Sequence, residues 1–237
     1  MDLVQLRKKN IELTKAAIQK SVTPDVHIIH ARNTIAELDK VANALVKRLR
    51  DWYKHHNPEL EHANQEHEDF IAAVLEYQTP DAEGMGAPVS KETVDVYAQQ
   101  AVLVQQLYAQ REQVLTYLEK AMQARTPNLL HIAGAMIGGE LLVLAGSLRR
   151  LATMPAGTIQ LLGAESAMFR HLRKNAKPPK HGVIFNHELM QRAHPKLHGK
   201  IARTLADTIS IGARVDFFEG DFCGDTLLAK VEKVCNG

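Results

Sequence analysis

Residues 28–52 read IIHARNTIAELDKVANALVKRLRDW. Their apolar side chains recur at alternating spacings of three and four, at Ile28, Ala31, Ile35, Leu38, Ala42, Leu45, Leu49 and Trp52. This spacing is typical of the a/d seam of a coiled-coil helix. Thr23 followed by Pro24 is a helix-start signal, and the residue before Pro58 avoids helical geometry. We therefore predict one long α-helix that begins near residue 24 and ends near Pro58.

A second long helix is predicted from Lys91 onward, after a loop with prolines and glycines between residues 80 and 88. Its seam, interrupted only by Arg111, comprises Val94, Tyr97, Ala101, Val104, Tyr108, Leu115, Leu118 and Met122. Leu103, Leu107 and Val114 widen its apolar face. A narrow seam beside a broad one predicts an antiparallel hairpin that also packs on something else. The spacing leaves packing within one chain and dimerisation both open.

The composition of the whole chain favours helix over sheet. Only 5% of the 237 residues are aromatic, whereas the good helix formers Ala, Leu, Gln, Glu, Lys and Arg are plentiful. We predict an all-α protein with a coiled-coil helical domain at residues 1–125 and a globular helical domain at residues 126–237. Shorter helices are predicted at residues 3–20 and 68–78. No apolar run approaches a membrane span and no signal peptide is recognised, so we expect a cytoplasmic protein.

Motifs for metal binding, nucleotide binding and catalysis are weak. Glu61, His62, Glu66 and His67 cluster in sequence, and His187 is followed by Glu188, but neither set has HExxH spacing. We interpret the first cluster as a solvated helix start with acids near its N-terminus. The glycines within residues 134–139 do not form a GxGxxG fingerprint. No nucleophile and base occur in a recognisable order. We predict no metal, no cofactor and no catalytic residues.

Positive charge is concentrated in one stretch of the chain. Between Arg170 and Arg203 there are nine Lys or Arg residues and one acid, Glu188, a local charge of +8 in a chain whose total is +2. A concentrated positive surface favours polyanion binding, because phosphate neutralisation releases counterions. A charge run that serves only as a soluble surface is the alternative.

Four ordered sequence blocks carry a resemblance to a known family. They are residues 162–165 (LGAE), 167–170 (AMFR), 177–184 (KPPKHGVI), and 199–203 (GKIAR) with 213–216 (ARVD). Together they resemble the Nop domain of box C/D methylation-guide scaffold proteins and of a splicing factor. Residues 139–142, 144–148 and 154–156 extend the match, and residues 51–53 with 56–60 resemble the end of the first coiled-coil helix, with Asn57 in place of the expected Phe.

The resemblance implies an RNA-binding scaffold that recognises a kink-turn RNA together with the core protein bound to it. It assigns RNA binding to Gly163, Ala164, Glu165, Arg170, Arg173, Lys174, Lys177, Lys180, His181, Lys200 and Arg203. The cations would face phosphates, and His181 would stack on an unpaired base or donate to a phosphate. The resemblance places partner-protein contacts at Ala145, Gly146, Leu148, Met154, Pro155 and Ile159.

Departures from the family bear on the partners. Ser166 stands where guide-RNP members carry Lys, and Met168 stands where they carry Leu. About two dozen residues precede the coiled coil, so we expect a short archaeal member without the N-terminal domain that recruits fibrillarin, and fibrillarin is not an expected partner. A homodimer through the coiled coil is a further expectation. The alternative function is a protein-protein adaptor that acts through the coiled coil and has reduced or lost RNA binding.

Overall fold

The computed structural model describes residues 3–82, 84–174 and 176–235, and of Lys20 only the backbone. Within these ranges the chain is all-α, as predicted, with no β-strand. The elements are α1 (Leu3–Ser21), α2 (Pro24–Tyr53), α3 (Pro58–Ala63), α4 (His67–Glu76), α5 (Lys91–Arg125), α6 (Pro127–Ala145), α7 (Leu148–Thr153), α8 (Ala156–Leu161), α9 (Glu165–Lys174), a 3-10 helix (Val183–Asn186), α10 (Glu188–Arg192), α11 (His198–Phe217) and α12 (Gly224–Cys235).

The chain divides into two compact units. One is Asn33–Thr116, and the other combines Met1–Arg32 with Tyr117–Gly237. By contact, residues 1–32 therefore group with the C-terminal half of the chain. The division into functional domains at residues 1–125 and 126–237 stays a prediction.

The unit Asn33–Thr116 contains an antiparallel pair of helices. Arg111 on α5 pairs with Asp39 on α2 at 2.6 Å, and the ring centroids of Tyr97 on α5 and Tyr53 on α2 lie 5.2 Å apart. Residue numbers rise along α2 as they fall along α5, so the predicted hairpin is confirmed. α4 completes the core, whose buried residues are Val46, Leu49, Tyr53, Phe70, Ile71, Val74, Tyr97, Ala101 and Val104.

The buried face of α2 departs from the predicted heptad seam at its C-terminal end. Val46 and Tyr53 are buried, whereas Trp52 is 43% exposed. The buried positions 28 and 46, 31 and 49, and 35 and 53 are each 18 residues apart, which is about five turns of an α-helix. A straight helix drifts roughly 20° per heptad away from a 3.5-residue repeat, so the seam passes to neighbouring positions. Trp52 therefore lies at the edge of the seam, with its ring centroid 5.1 Å from that of Tyr97 on α5, and Leu103 on the wider apolar face of α5 is 42% exposed.

Arg50 holds the connection between α3 and α4. Its guanidinium donates to the Glu61 carboxylate at 2.8 Å and to the main-chain oxygens of Glu61, Asn64, Gln65 and Glu66 at 2.6 to 3.3 Å. The same group lies 4.4 Å from the centroid of the Phe70 ring. The Glu61 carboxylate, a member of the sequence cluster considered for metal binding, is therefore engaged by a cation.

The second unit is organised around α11, which packs against α6, α7, α8 and α12. Asp216 near its C-terminus accepts hydrogen bonds from the main-chain N–H groups of Asn128 and Leu129, at 3.1 and 2.9 Å, and from the Asn128 side chain at 2.8 Å. The Asp216 carboxylate thus satisfies the first N–H groups of α6, where a negative charge is favoured. Asp25 does the same for α7 by accepting from the Leu148 N–H at 2.7 Å.

By length and composition alone, α6 could cross a membrane. An 18-residue window within it has a mean hydropathy of 1.6, which overturns the expectation that no apolar run approaches that length. Half of this window is buried inside the protein, and α6 packs against α7, α11 and α12. The apolar composition of α6 is thus also that of a core helix. The helical backbone of α6 is interrupted at Gly134, where φ is 74° and ψ is 164°.

Candidate nucleic-acid interface

α9 presents three cations within little more than one helical turn. Arg170, Arg173 and Lys174 are all exposed, and no residue of this helix is buried. The Arg173 guanidinium lies 6.0 Å from the centroid of the Phe169 ring. Because residues three and four apart on a helix are neighbours, these cations form one patch that can meet a phosphate backbone.

The loop after α9 returns to the end of α8 and is held there by main-chain hydrogen bonds. The Gly182 N–H donates to the Gln160 oxygen and the Val183 N–H to the Leu162 oxygen, each at 2.8 Å. The Gln160 side chain donates to the Lys180 oxygen, also at 2.8 Å. These bonds bring the two predicted blocks 162–165 and 177–184 together, and they leave the Lys177 and Lys180 side chains exposed.

Two glycines permit this close approach. A Cβ on Gly182 would lie 1.8 Å from the Leu162 oxygen, so no other residue fits without displacing the loop. Gly163 has a φ of 84°, and a Cβ there would lie 2.4 Å from Cγ2 of Val183. Gly163 also donates its N–H to the Glu165 carboxylate at 2.9 Å. Gly163 and Glu165 therefore shape the turn into α9.

His181 packs within the protein rather than standing free. Its ring is stacked on Phe185, with centroids 4.3 Å apart and planes 10° apart, so one face is already covered. Burial lowers the pKa of His181, and nearby His198 lowers that pKa further. His181 is therefore largely neutral at pH 7. The predicted stacking of His181 on an unpaired base would therefore use the part of the imidazole ring that Phe185 does not cover.

The first turn of α11 lies beside this loop. His198 contacts both His181 and Phe185, with ring centroids 6.5 and 5.6 Å away. Lys200 and Arg203 follow on the same helix and are exposed, while Ile201 and Ala202 between them are buried. The structure thus brings the end of the basic loop and the start of α11 together.

The sequence matches the family described as Nop, snoRNA binding domain, fibrillarin, over residues 34–84 and 79–236. The chain belongs to the Nop family. It is 38% identical over 257 residues to an uncharacterized NOP5 family protein of Methanocaldococcus jannaschii, covering 97% of this chain and 62% of that protein. It is 34% identical over 215 residues to nucleolar protein 58 of Schizosaccharomyces pombe, covering 81% of this chain and 42% of that protein. The chain therefore spans about three fifths and two fifths of these relatives.

A solved structure has the same Nop-family fold. The chain resembles a chain in the crystal structure of a fibrillarin/Nop5p complex, with a TM-score of 0.61 and 24% identity, covering 98% of this chain and 76% of that one. At this identity the likeness shows the fold alone. The expectation that fibrillarin is not a partner gains no support, since both the family description and this complex name fibrillarin.

Half of the partner-binding residues predicted from the Nop domain are not on the surface. The side chains of Ala145, Leu148 and Ile159 are buried, with at most 1% exposure. Leu148 and Ile159 pack in the core because α7 and α8 each turn an apolar face toward α11, and Ala145 is the last residue of α6, which also packs against α11. Their assignment as contact residues is corrected, whereas Gly146, Met154 and Pro155 are accessible and stay predictions.

The structure also shows residues that sequence reasoning missed. Gln160 and Phe185 hold the Nop-domain loop through the Lys180 oxygen and the His181 ring, and neither belongs to a charged or spaced pattern that would have marked it. His187, paired in sequence with Glu188 as a metal candidate, has both ring nitrogens engaged: Nε2 with the Ile132 oxygen at 2.8 Å and Nδ1 with the Leu189 N–H at 3.2 Å.

Proposed function

We propose that this chain binds RNA as a structural, non-catalytic subunit of a box C/D-like ribonucleoprotein, recognising a kink-turn RNA together with its bound core protein. The observation that carries the proposal is the meeting of three basic elements. The loop that ends at His181 links the other two, because hydrogen bonds hold it to the end of α8, directly before α9, and the His181 ring contacts His198 in the first turn of α11.

The charge of these elements suits a phosphate backbone. Seven exposed cations lie on them: Arg170, Arg173, Lys174, Lys177, Lys180, Lys200 and Arg203. If every one neutralised a phosphate of a duplex, the logarithm of the affinity would fall with the logarithm of the salt concentration with a slope of about −6. Ser166, exposed in the first turn of α9, leaves this surface one cation short of the guide-RNP pattern.

An apolar groove lies next to the α9 cations. It has a volume of about 390 Å³ and is lined by Gly157, Thr158, Leu161, Leu162, Glu165, Met168 and Phe169. A groove of this kind does not attract phosphate, but it suits an apolar protein side chain. Cations beside an apolar groove support a composite ligand of RNA and protein. The similarity to an archaeal relative supports a cytoplasmic particle.

The test is an electrophoretic shift of a kink-turn RNA with and without its core protein. The wild-type chain should give a supershift only when the core protein is present. Reversing three charges, in Arg173→Glu/Lys174→Glu/Lys177→Glu, should weaken binding and make the salt slope shallower by about 3. The matched control reverses three exposed cations of α1, in Lys8→Glu/Lys9→Glu/Lys15→Glu.

RNA recognition by this surface would be overturned if both triple variants weakened binding equally, or if the wild-type chain gave no shift either with or without the core protein. The absence of any shift would favour the adaptor function through the α2 and α5 hairpin. Fibrillarin is added in a further lane, because a relative of the same fold was crystallised with it. An additional shift in that lane would make fibrillarin a partner of this chain as well.

A further inference from the structure

α7 displays two arginines on a rigid base. Arg149 and Arg150 are exposed, whereas Leu148 and Leu151 on either side of them are buried. The Ser147 hydroxyl accepts from the Arg150 N–H at 3.2 Å and caps the helix. The pattern Leu-Arg-Arg-Leu therefore turns the apolar side chains inward and both guanidinium groups outward on an anchored helix.

A third arginine joins this pair from α11. The Nε atom of Arg214 donates to the Ala152 oxygen near the end of α7 at 3.0 Å, and Arg214 stays exposed. Ala152 follows Arg149 by three residues, a rise of roughly 4.5 Å along the helix. The carbonyl contact orients the planar Arg214 fork, so binding a phosphate costs this side chain less entropy than it costs a free one.

We propose that Arg149, Arg150 and Arg214 form a second phosphate-binding patch, which contacts the RNA backbone beyond the basic stretch of residues 170–203. This inference rests on the proposed function. It extends the RNA contact to three arginines that are outside the basic stretch and are not among the residues assigned to RNA binding from the sequence.

The geometry of α11 explains how one RNA can reach both regions. The exposed residues of this helix fall on one stripe at spacings of three and four, at Lys200, Arg203, Asp207, Ile211 and Arg214. Arg203 and Arg214 are 11 residues apart, roughly 16 Å at 1.5 Å per residue. Asp207 repels phosphate, so the stripe carries cations at its two ends and an acid between them. An RNA backbone that follows α11 therefore meets two separate patches.

The position of the patch also fits a ligand made of RNA and protein. The accessible residues Gly146 and Met154, predicted to contact the partner protein, flank α7 on both sides of Arg149 and Arg150. Arginine suits the RNA side of such a junction, because its fork pairs with two phosphate oxygens at once.

The experiment compares three double variants, each of which removes two exposed cations: Arg149→Gln/Arg150→Gln in the new patch, Arg173→Gln/Lys174→Gln in the proposed α9 surface, and Lys8→Gln/Lys9→Gln on α1 as the control. Binding to the kink-turn RNA with its core protein is measured from about 50 to about 200 mM salt. Two phosphate contacts add about 1.8 to the slope, which over this fourfold range is roughly a twelvefold change in affinity. Hydroxyl-radical footprinting of the complex is run in parallel, and thermal melting checks each fold.

We expect the α7 variant, Arg149→Gln/Arg150→Gln, to keep the wild-type melting temperature and to lose this part of the salt slope. In the footprint it should leave unprotected a block of RNA positions that the α9 variant, Arg173→Gln/Lys174→Gln, still protects. If the α9 variant loses salt dependence while the α7 variant behaves like the α1 control, the second patch is refuted and the proposed function stands. Weaker binding by the α7 variant with an unchanged slope and footprint also refutes it, because the arginines would then contact the core protein. If neither variant differs from the control, both proposals fail.

Discussion

Replacing Asp216 with alanine should destabilise the unit that carries the basic surface. The carboxylate is 4% exposed and accepts three hydrogen bonds at 2.8 to 3.1 Å from Asn128 and Leu129. Alanine at this position leaves the first N–H groups of α6 without their acceptor. The lost stability therefore comes from the junction between α6 and α11.

The expected cost is about 3 kcal/mol. A hydrogen bond to a charged group contributes about 1.5 to 3 kcal/mol, and three of them do not add fully because ionised Asp216 itself opposes folding through desolvation. For a chain of this size, each kcal/mol lowers the melting temperature by about 2 to 4 °C, so we expect a drop of about 6 to 12 °C.

Thermal melting followed by circular dichroism measures this drop. The matched control is Asp207→Asn, an exposed acid on the same helix, which should stay within about 0.5 kcal/mol of wild type. A melting temperature of Asp216→Ala within about 2 °C of wild type would refute the assignment of Asp216 as the cap of α6.

The pH dependence of the same group has a defined sign. Burial raises the pKa of the Asp216 carboxyl above its ordinary 3.8, against the hydrogen bonds from Leu129 and Asn128, which lower it. The folded state therefore keeps this proton to a higher pH than the unfolded chain does. Between the two pKa values the folded state binds more protons, so the free energy of unfolding falls as the pH rises. Wild type should lose stability relative to Asp216→Asn as the pH rises from about 4 to about 7, and a widening advantage of wild type would contradict this.

Two further substitutions test how the fold positions its loops. Arg50→Lys should lower the free energy of unfolding by about 2 to 3 kcal/mol, because lysine lacks the planar fork that donates to one carboxylate and four main-chain oxygens. The control Lys54→Gln, at an exposed ion pair, should cost less than about 1 kcal/mol in the same thermal-melting assay. Equal losses would disprove the role of Arg50 in holding the connection between α3 and α4. Gly182→Ala should lower both the melting temperature and the affinity for the kink-turn complex, because the alanine Cβ would clash with the Leu162 oxygen. The control Gly199→Ala should be neutral or stabilising, because a Cβ at residue 199 meets open space. If both variants are neutral, the loop is not tightly held at Gly182.

Much of the candidate site was predictable because its residues are close in sequence. The cations of α9 follow from helical spacing, and the start of α9 at Glu165 follows the 162–165 block. That Gly182 meets Leu162 could not be predicted from the spacing of the motifs, because contact between segments 20 residues apart depends on how the loop folds back. The same holds for Phe185, whose stacking on His181 has no local signal.

The sequence by itself determined the all-α class, the start of α2 at its cap signal, the start of α5 after the loop of residues 80–88, and the helices of the hairpin. Helix geometry and proline restrictions act over a few neighbouring residues, so they can be read from the sequence. Only the tertiary structure decided which side chains are buried. Tyr53 rather than Trp52 faces the core, Leu148 is inside rather than at a partner surface, and Arg214 from α11 lies beside α7. Burial and convergence depend on the packing of elements far apart in the chain, and the spacing of residues along one helix does not specify that packing.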